Sequence, residues 1–398
     1  MVAPLHSSSL GALAESAPAV LQVLPHLDAG GVPRGTIEVA EALIAAGGRA
    51  LVASAGGAGV AELERIGAKH FALPLDSKNP LELVANANRL ERLIARENVQ
   101  IIHARSRAPA WSAEAAARRG GCAFVTTFHG TYGHASRLKR GYNAVMTRGQ
   151  RVIAISHFIA EHIRSVYGID EGRLRVIPRG VDPARFDPKA VSPARLIALS
   201  KRWRIPEGQR VVLMPARITR WKGQGVLVEA LARLDRPNLL CLMVGDAQGR
   251  GRYRAELEAL IAERGLAENV RILEPSGDMP AAYKLAEVVV SASTDPEAFG
   301  RVMVEAQAMG RPIVATDHGG ARESVLAGET GWLVAPGDAD ALAAGIARAL
   351  ALDDITRAHM AERAVAHVCA NFTTALMCRR TLDVYRELAG ATAKRGAA

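Results

Sequence analysis

The chain is predicted to be an α/β protein made of two doubly wound, parallel-sheet domains of similar size. Two observations carry that prediction. Short β-branched runs alternate with helical patterns almost from end to end, the signature of parallel sheets covered by helices. The series breaks once, at Ile177-Pro-Arg-Gly-Val-Asp-Pro183 with Phe186-Asp-Pro188 close behind, and then starts again. Three prolines and a glycine make that stretch a connector, placed near Arg179–Lys189.

In the first series the predicted strands are 20–24, 49–53, 70–73, 101–103, 124–128, 151–155 and 175–177. Helical patterns lie between most of them, for example over 36–46, 82–96 and 111–118. The second series runs through 211–215, 239–244, 270–273, 288–291, 312–315 and 331–334. A final helix is predicted around 373–388, beyond the last strand, where it could pack on either domain. The resulting division is a disordered tail over 1–18, a first domain over 19–188 and a second over 189–372. A length of 398 residues leaves each domain enough chain for its own core.

Composition excludes several classes. No run approaches the ~20 apolar residues of a membrane span. Met1–Leu10 lacks the basic start and apolar stretch of a signal peptide, and Thr392–Ala398 reads as a frayed end. Cys122, Cys241, Cys369 and Cys378 form no C-x-x-C pair, which fits free thiols in a reducing cytoplasm. The net charge of +10 is uneven: Arg105 to Arg151 holds nine Lys or Arg and one acid, Glu114. Such a basic face suits an anionic lipid surface or a phosphorylated glycan, or is simply solvated. Nucleic acid is not expected, because aromatics are scarce and no nucleic-acid motif is present.

Glu297-Ala-Phe-Gly-Arg-Val-Met-Val-Glu305 is the most informative segment. It follows strand 288–291, which Pro296 helps to end, and it opens a helix. The first-turn N–H groups between Phe299 and Val302 make an anion site at a strand-to-helix crossing, where open α/β sheets bind ligands. Carboxylates on either side of it match a ligand with hydroxyls at both ends and phosphates between, such as a nucleotide sugar. Glu297 would meet the sugar and Glu305 the ribose. A loop glutamate and a solvated helix glutamate would share the spacing.

Other constellations stand at the same kind of edge. Arg217 and Lys222, in Met214-Pro-Ala-Arg-Ile-Thr-Arg-Trp-Lys-Gly223, can hold a diphosphate as a planar fork and a point charge. A solvated basic loop is the alternative. Gly30-Gly31 joins the first strand to a helix and lets backbone N–H groups approach an anion, or is a flexible turn. His129, in Thr126-Thr-Phe-His-Gly130, could bond a sugar hydroxyl or accept a proton, and His103 stands at another strand end. Either could be structural. Gly319-Gly320 follows strand 312–315 and could face a sugar or phosphate at the same edge, or is simply a tight turn.

Two lookalikes are rejected. Gly57-Ala-Gly-Val-Ala-Glu62 lacks the third small residue of a dinucleotide fingerprint. Asp338-Ala-Asp340 imitates a metal-binding pair, but Asp338 is better read as a helix N-cap. No metal ligands and no cofactor are expected.

Taken in order, Gly30-Gly31, Phe128-His-Gly130, Val176-Ile-Pro-Arg-Gly-Val-Asp182, Arg217…Lys222-Gly223, Val244-Gly-Asp246, Glu297…Glu305 and Gly319-Gly320…Glu323 resemble the retaining GT-B glycosyltransferases of family 4 (glycosyl transferases group 1). The likeness extends from about Val20 to about Leu388 and includes enzymes of lipopolysaccharide-core and glycolipid synthesis. It implies two Rossmann-like domains facing across a cleft, with acceptor on the first and nucleotide sugar on the second. It further implies transfer with retention, without metal, and a last helix that crosses back to the first domain. By the resemblance, Arg217 and Lys222 hold the diphosphate and Glu305 the ribose. Glu297, with the backbone of Phe299, Gly300 and Arg301, meets the donor sugar and distal phosphate. Gly245 belongs with the donor motifs, Gly31 lies near the diphosphate, and His129 lies near sugar and acceptor. One departure is visible: relatives commonly carry Asn where Arg179 stands.

The expected reaction is same-face attack, with Arg217 and Lys222 stabilising the leaving diphosphate and Glu297 positioning the sugar. The expected acceptor is lipid-linked or a surface glycan, and the expected location is cytoplasmic, peripheral on an anionic inner leaflet. A same-fold epimerase or phosphorylase, or a catalytically silent nucleotide-sugar-binding protein, are the competing readings.

Overall fold

The computed structural model describes residues 17–396 except 29, 134, 235, 237, 248 and 250, and backbone only over 391–396. Residues 1–16 of the predicted tail, and 397–398 of the predicted frayed end, lie outside the described residues.

Two parallel sheets are present. The first contains β1 (Ala19–Val23), β2 (Arg49–Ser54), β3 (Lys69–Ala72), β4 (Ile101–Ala104), β5 (Ala123–Phe128), β6 (Arg151–Ala154) and β7 (Leu174–Val176), in the order β3-β2-β1-β4-β5-β6-β7. The second contains β8 (Arg210–Pro215), β9 (Leu239–Val244), β10 (Val270–Leu273), β11 (Val288–Ser291), β12 (Ile313–Thr316) and β13 (Gly331–Val334), in the order β10-β9-β8-β11-β12-β13. Every predicted strand is found, within a residue or two of its predicted ends. Central strands such as β1 and β9 are buried along their whole length, as expected of a parallel sheet covered on both faces.

The helices are α1 (Gly31–Ala45), α2 (Val60–Arg65), α3 (Pro80–Arg96), α4 (Arg107–Gly120), α5 (Arg137–Asn143), α6 (His157–Tyr167), α7 (Pro193–Arg202), α8 (Gln224–Ala232), α9 (Gly251–Glu263), α10 (Met279–Leu285), α11 (Arg301–Ala308), α12 (Ala321–Ser324), α13 (Ala339–Leu350), α14 (Asp354–Asn371) and α15 (Thr374–Gly396). Caps start many of them: Asn79 on α3, Ser192 on α7, Asp278 on α10, Asp338 on α13 and Asp353 on α14 each accept a first-turn N–H. Two helices start earlier than predicted. α1 begins five residues before Thr36 and α4 four before Trp111, because Pro33 and Pro109 fall in first turns, where no intrahelical N–H bond is required.

By contacts the chain divides into two compact units. One is Met1–Ile153 with Val166–Arg175 and Cys378–Ala398; the other is Ala154–Ser165 with Val176–Met377. The division therefore passes ahead of residue 188, where the sequence pattern set it. Val181 explains the shift, since it exchanges backbone bonds with Phe372 and Thr374 of the second unit. Within the first unit, α15 is anchored by Tyr385, whose hydroxyl lies 2.6 Å from His103 Nδ1, and by Glu387, which pairs with Arg151 and Arg175. These arginines hold the Glu387 carboxyl below the usual range.

Candidate active site

In the second sheet the strand order reverses between β8 and β11. Loops leaving the carboxyl ends of such neighbours go to opposite sides and open a crevice. The loop after β8 carries Arg217, Lys222 and Gly223, and the loop after β11 carries Ser293 to Gly300.

The two loops are tied together. Thr294 N–H donates to Trp221 O at 2.7 Å, and Gly223 packs under the end of β11. A Cβ on Gly223, whose φ is 77°, would stand 1.9 Å from Ala292 O, so only glycine lets these backbones approach. This brings Lys222 Nζ into an ion pair with Glu297 Oε1, which also accepts from Ser293 Oγ at 2.6 Å. Lys222 Nζ sits 4.3 Å from the Trp221 ring centroid, a cation–π contact.

Glu297 is held from its other side by the turn after β12. Gly320 N–H donates to Glu297 O at 2.8 Å. Glu323, in the same turn, accepts from the N–H groups of His157 and Phe158 at 2.7 and 2.6 Å, capping α6 with a carboxylate. Ser156 Oγ donates to Ala298 O at 2.6 Å. The Glu297 loop thus rests on three separate segments of its own unit.

α11 starts at Arg301 behind Gly300, which has φ 80° and no side-chain cap. Glu305, one turn in, accepts from the Tyr283 hydroxyl at 2.8 Å, and Arg301 Nε is 3.5 Å from its other oxygen. Burial first, and then the Glu305 charge, push the Tyr283 phenol well above its ordinary value, so it stays a donor. Phe299 is buried against Phe372, so its contribution to any ligand is through the backbone. Arg217 is exposed beyond β8, and its carbonyl is fixed by Gln224 Nε2 at 2.8 Å. Gly245 packs β9 against β8, since a Cβ there would stand 1.9 Å from Ala216 O.

The structure therefore gathers Lys222, Glu297, Glu305, Phe299, Gly300 and Arg301 at the reversal point of one sheet, with Arg217 and Gly245 on the adjoining loops. Gly30, Gly31 and His129 belong to the first unit, the glycines at the reversal between β1 and β4 and His129 beyond the neighbouring β5. Gly30 is the N-cap of α1, and a Cβ on Gly31 would meet nothing within 4 Å. His129 follows β5 and, with Val32, Arg105, Arg107 and Tyr132, lines a cleft of about 420 Å³.

One sequence expectation needs correction, and two readings left open are narrowed. Arg105 is not part of a solvated basic face: it is 3% exposed and donates to Gln22 Oε1 at 2.9 Å. His103 is fully buried between Tyr385 and Thr127, bonded to both, and is structural. Gly319-Gly320 does more than turn the chain, because it packs on the backbone of Glu297 and Phe299. Asp338 caps α13 and Asp340 pairs with Arg233, so that pair is not a metal motif. Among the described residues no group of three or more His, Cys, Asp or Glu side chains converges.

Sequence reasoning missed Ser293, Tyr283 and Ser156. Ser293 lies two residues past the end of β11 at the ligand edge, and that position was its signal. Tyr283 and Ser156 are distant in sequence from their partners and gave none.

Comparison with known proteins identifies the family and the fold. The family described as "Glycosyl transferases group 1" matches residues 197–367, and "Glycosyltransferase Family 4" matches 29–185. The chain is 36% identical over 250 residues to a D-inositol 3-phosphate glycosyltransferase of Xylanimonas cellulosilytica, covering 62% of this chain and 59% of that protein. The chain thus spans about three fifths of that relative's length. It is 32% identical over 282 residues to a GDP-mannose-dependent alpha-(1-6)-phosphatidylinositol monomannoside mannosyltransferase of Mycolicibacterium smegmatis, covering 67% of this chain and 71% of that one. Among solved structures, a glycosyltransferase from Rickettsia africae superposes with a TM-score of 0.87 at 39% identity, over 93% of this chain and 98% of that one. Anabaena HepE in complex with UDP and glucose superposes with a TM-score of 0.81 at 26% identity, over 92% and 99%.

Proposed function

The chain belongs to the glycosyl transferases of group 1 and family 4, with the GT-B fold, and from that premise we propose that it transfers a sugar from a UDP- or GDP-linked donor to a hydroxyl of a lipid-linked or surface-glycan acceptor. The observation that carries the proposal is the Ser293–Glu297–Lys222 cluster beside the Tyr283–Glu305 pair, on either side of the α11 N-terminus. That order of groups matches the order of a nucleotide sugar: sugar hydroxyls, diphosphate, ribose.

In this reading Glu305 takes the ribose hydroxyls, with Tyr283 fixing its orientation. Arg217, Lys222 and the N–H groups from Phe299 to Arg301 hold the diphosphate, the last through the α11 N-terminus. Glu297 positions the donor sugar. As the glycosidic bond lengthens, negative charge grows on the distal phosphate, and Lys222 and Arg217 stabilise it. The acceptor hydroxyl attacks from the face the phosphate leaves, giving retention, and its proton goes to the departing phosphate oxygen. By the family resemblance Gly30-Gly31 serve the diphosphate, and His129 serves the sugar and the acceptor. With Arg217 and Lys222 assigned to the leaving group, activity without added metal is expected, and EDTA should not reduce it. Activity abolished by EDTA would contradict this part of the reading.

The acceptor class proposed is a lipopolysaccharide core or glycolipid, reached from the cytoplasmic face of the membrane. The basic α5 supports the peripheral location: exposed Leu138 stands among exposed Arg137, Lys139 and Arg140. No helix among the described residues is long and apolar enough to cross a membrane. Vesicles with anionic lipid should retain the protein at low salt and release it at high salt. Failure to bind them would remove the membrane from the proposal.

The direct test is nucleotide release from a panel of UDP- and GDP-sugars, with and without acceptor extracts. Acceptor-dependent release of one nucleotide, with sugar recovered in the acceptor, supports transfer. Interconversion of donor sugars without net nucleotide release points to an epimerase, and binding without turnover to a silent binding protein.

A further inference from the structure

We infer that the outer edge of the first sheet is a docking groove for an extended acidic segment of another protein, which adds to β3 as one more strand. β3 ends the order of its sheet and pairs with β2 alone. Leu73 N–H donates to Ser54 O of β2 at 2.9 Å. Backbone groups alternate in direction along a strand, so those of His70 and Ala72 point away from β2. A row of outward N–H and C=O groups is a template for a further strand.

A groove of about 560 Å³ runs beside these residues. His70, Phe71, Ala72 and Leu73 all line it. Side chains of a strand alternate between faces, so four consecutive lining residues put the groove at the edge of the sheet, with backbone in its wall, rather than over one face. The facing wall is α3, through Arg89, Arg92 and Arg96. Half-buried Phe71 and Leu73 and buried Leu93 give the groove an apolar floor.

Charge selects the occupant. The spacings of three and four residues set the three arginines on one face of α3. No carboxylate lines the groove among the described residues. Arg92 is exposed, and its described bond is to Asn88 O at 3.3 Å. Arg96 lies 5.5 Å from the Phe71 ring centroid and shares Glu97 with Lys69, and Arg89 pairs with Glu82. Three guanidiniums against two carboxylates outside the groove leave positive charge along it, which carboxylates match best. The arginines recur about every 5–6 Å along the helix, and the side chains on one face of a strand recur about every 6–7 Å. Acids at alternate positions of an added strand therefore meet successive arginines. Charges also guard exposed edges against pairing, but guarding requires neither a groove nor an apolar floor.

Fluorescence anisotropy of a labelled, alternating Glu-Thr octapeptide tests the groove on the full chain. An alternating Lys-Thr octapeptide and two Glu-Thr peptides, N-methylated at every Glu or at every Thr, are the controls. Wild type should bind the Glu-Thr peptide and not the Lys-Thr one, and amide exchange at His70 and Ala72 should slow on binding. Arg92→Glu and Arg96→Glu should each weaken binding tenfold or more. Arg92→Gln, which should weaken it several-fold, serves if a charge reversal fails to fold. One of the methylated peptides, the one whose N–H groups face β3, should lose binding. No binding of the Glu-Thr peptide would mean that the arginines only guard the edge, and would overturn the inference. Binding indifferent to the Arg92 and Arg96 substitutions overturns it too. So does equal binding of both methylated peptides, which would show charge attraction without strand addition.

Discussion

Lys222 and Glu297 form an ion pair at the reversal point of the second sheet, with side chains only 15% and 13% exposed, and Ser293 Oγ donates to the same carboxylate oxygen. The pairing stores a cation and an anion side by side where a phosphate and a sugar hydroxyl would each claim one of them.

Glu297→Gln keeps the shape and the Ser293 contact but removes the charge. Turnover should fall by roughly 10²–10³-fold while the fold is retained. Because Glu297 is assigned to positioning, intact-protein mass spectrometry of wild type during turnover should show no glycosyl adduct. An adduct on Glu297 would make it a nucleophile and replace the same-face mechanism.

Lys222→Met strands Glu297 without its cation in a largely buried place. The single change should cost about 2–3 kcal/mol, and the Lys222→Met/Glu297→Gln double variant should cost less than the sum of the singles. Urea denaturation of all four proteins measures the coupling. Additive losses would mean the pair contributes no mutual stabilisation.

Gly319 and Gly31 should respond oppositely to alanine. A Cβ on Gly319, with φ 57°, would stand 2.4 Å from Glu297 O, so Gly319→Ala must displace the Glu297 loop and should cut turnover at least tenfold. A Cβ on Gly31 meets nothing within 4 Å, so Gly31→Ala should leave the melting temperature within a few degrees. A loss of activity by Gly31→Ala without loss of stability would then report backbone approach to a ligand. A fully active Gly319→Ala would detach the turn from the site.

Burial pushes the Cys122 thiol up to about 11. The unfolded thiol ionises near 8.5, so between these values the folded state holds a proton that the unfolded state has lost. Stability from this group is complete below the unfolded value and is lost as pH climbs through the folded one. Cys122→Ala should flatten part of the fall in denaturation midpoint between about pH 9 and 11. In alkylation at pH 8, exposed Cys369 should react well ahead of Cys122 and buried Cys241. Rapid labelling of Cys122 would contradict its burial.

Much of this architecture is legible in the chain because parallel strands announce themselves locally. Val288-Val-Val-Ser291 cannot be read as a solvated segment, and Asn79, Asp338 and Asp353 mark helix starts by their own chemistry. The Glu297–Glu305 segment was visible for the same reason: strand end, Pro, Gly and helix lie within a few residues. What escaped depends on partners far along the chain. His103 looked like an edge histidine until Tyr385, 282 residues away, was placed on it. Arg105 sits one residue past the end of β4 among other arginines, and composition could not distinguish the one the fold buries. Glu323 looked like part of a turn, and its role as the cap of α6 required that helix, 165 residues earlier, to be brought against it.

The central claim is that the second unit binds a nucleotide sugar through Glu305, Lys222 and Glu297. Isothermal titration of UDP- and GDP-sugars in EDTA, against wild type, Glu305→Ala and Glu297→Gln, tests it most directly. The account predicts that wild type binds one nucleotide class without metal. It predicts that Glu305→Ala weakens nucleotide and nucleotide sugar alike by tenfold or more, and that Glu297→Gln weakens only the sugar-bearing form. Folded wild type that binds none of them, or binding indifferent to both substitutions, would contradict it.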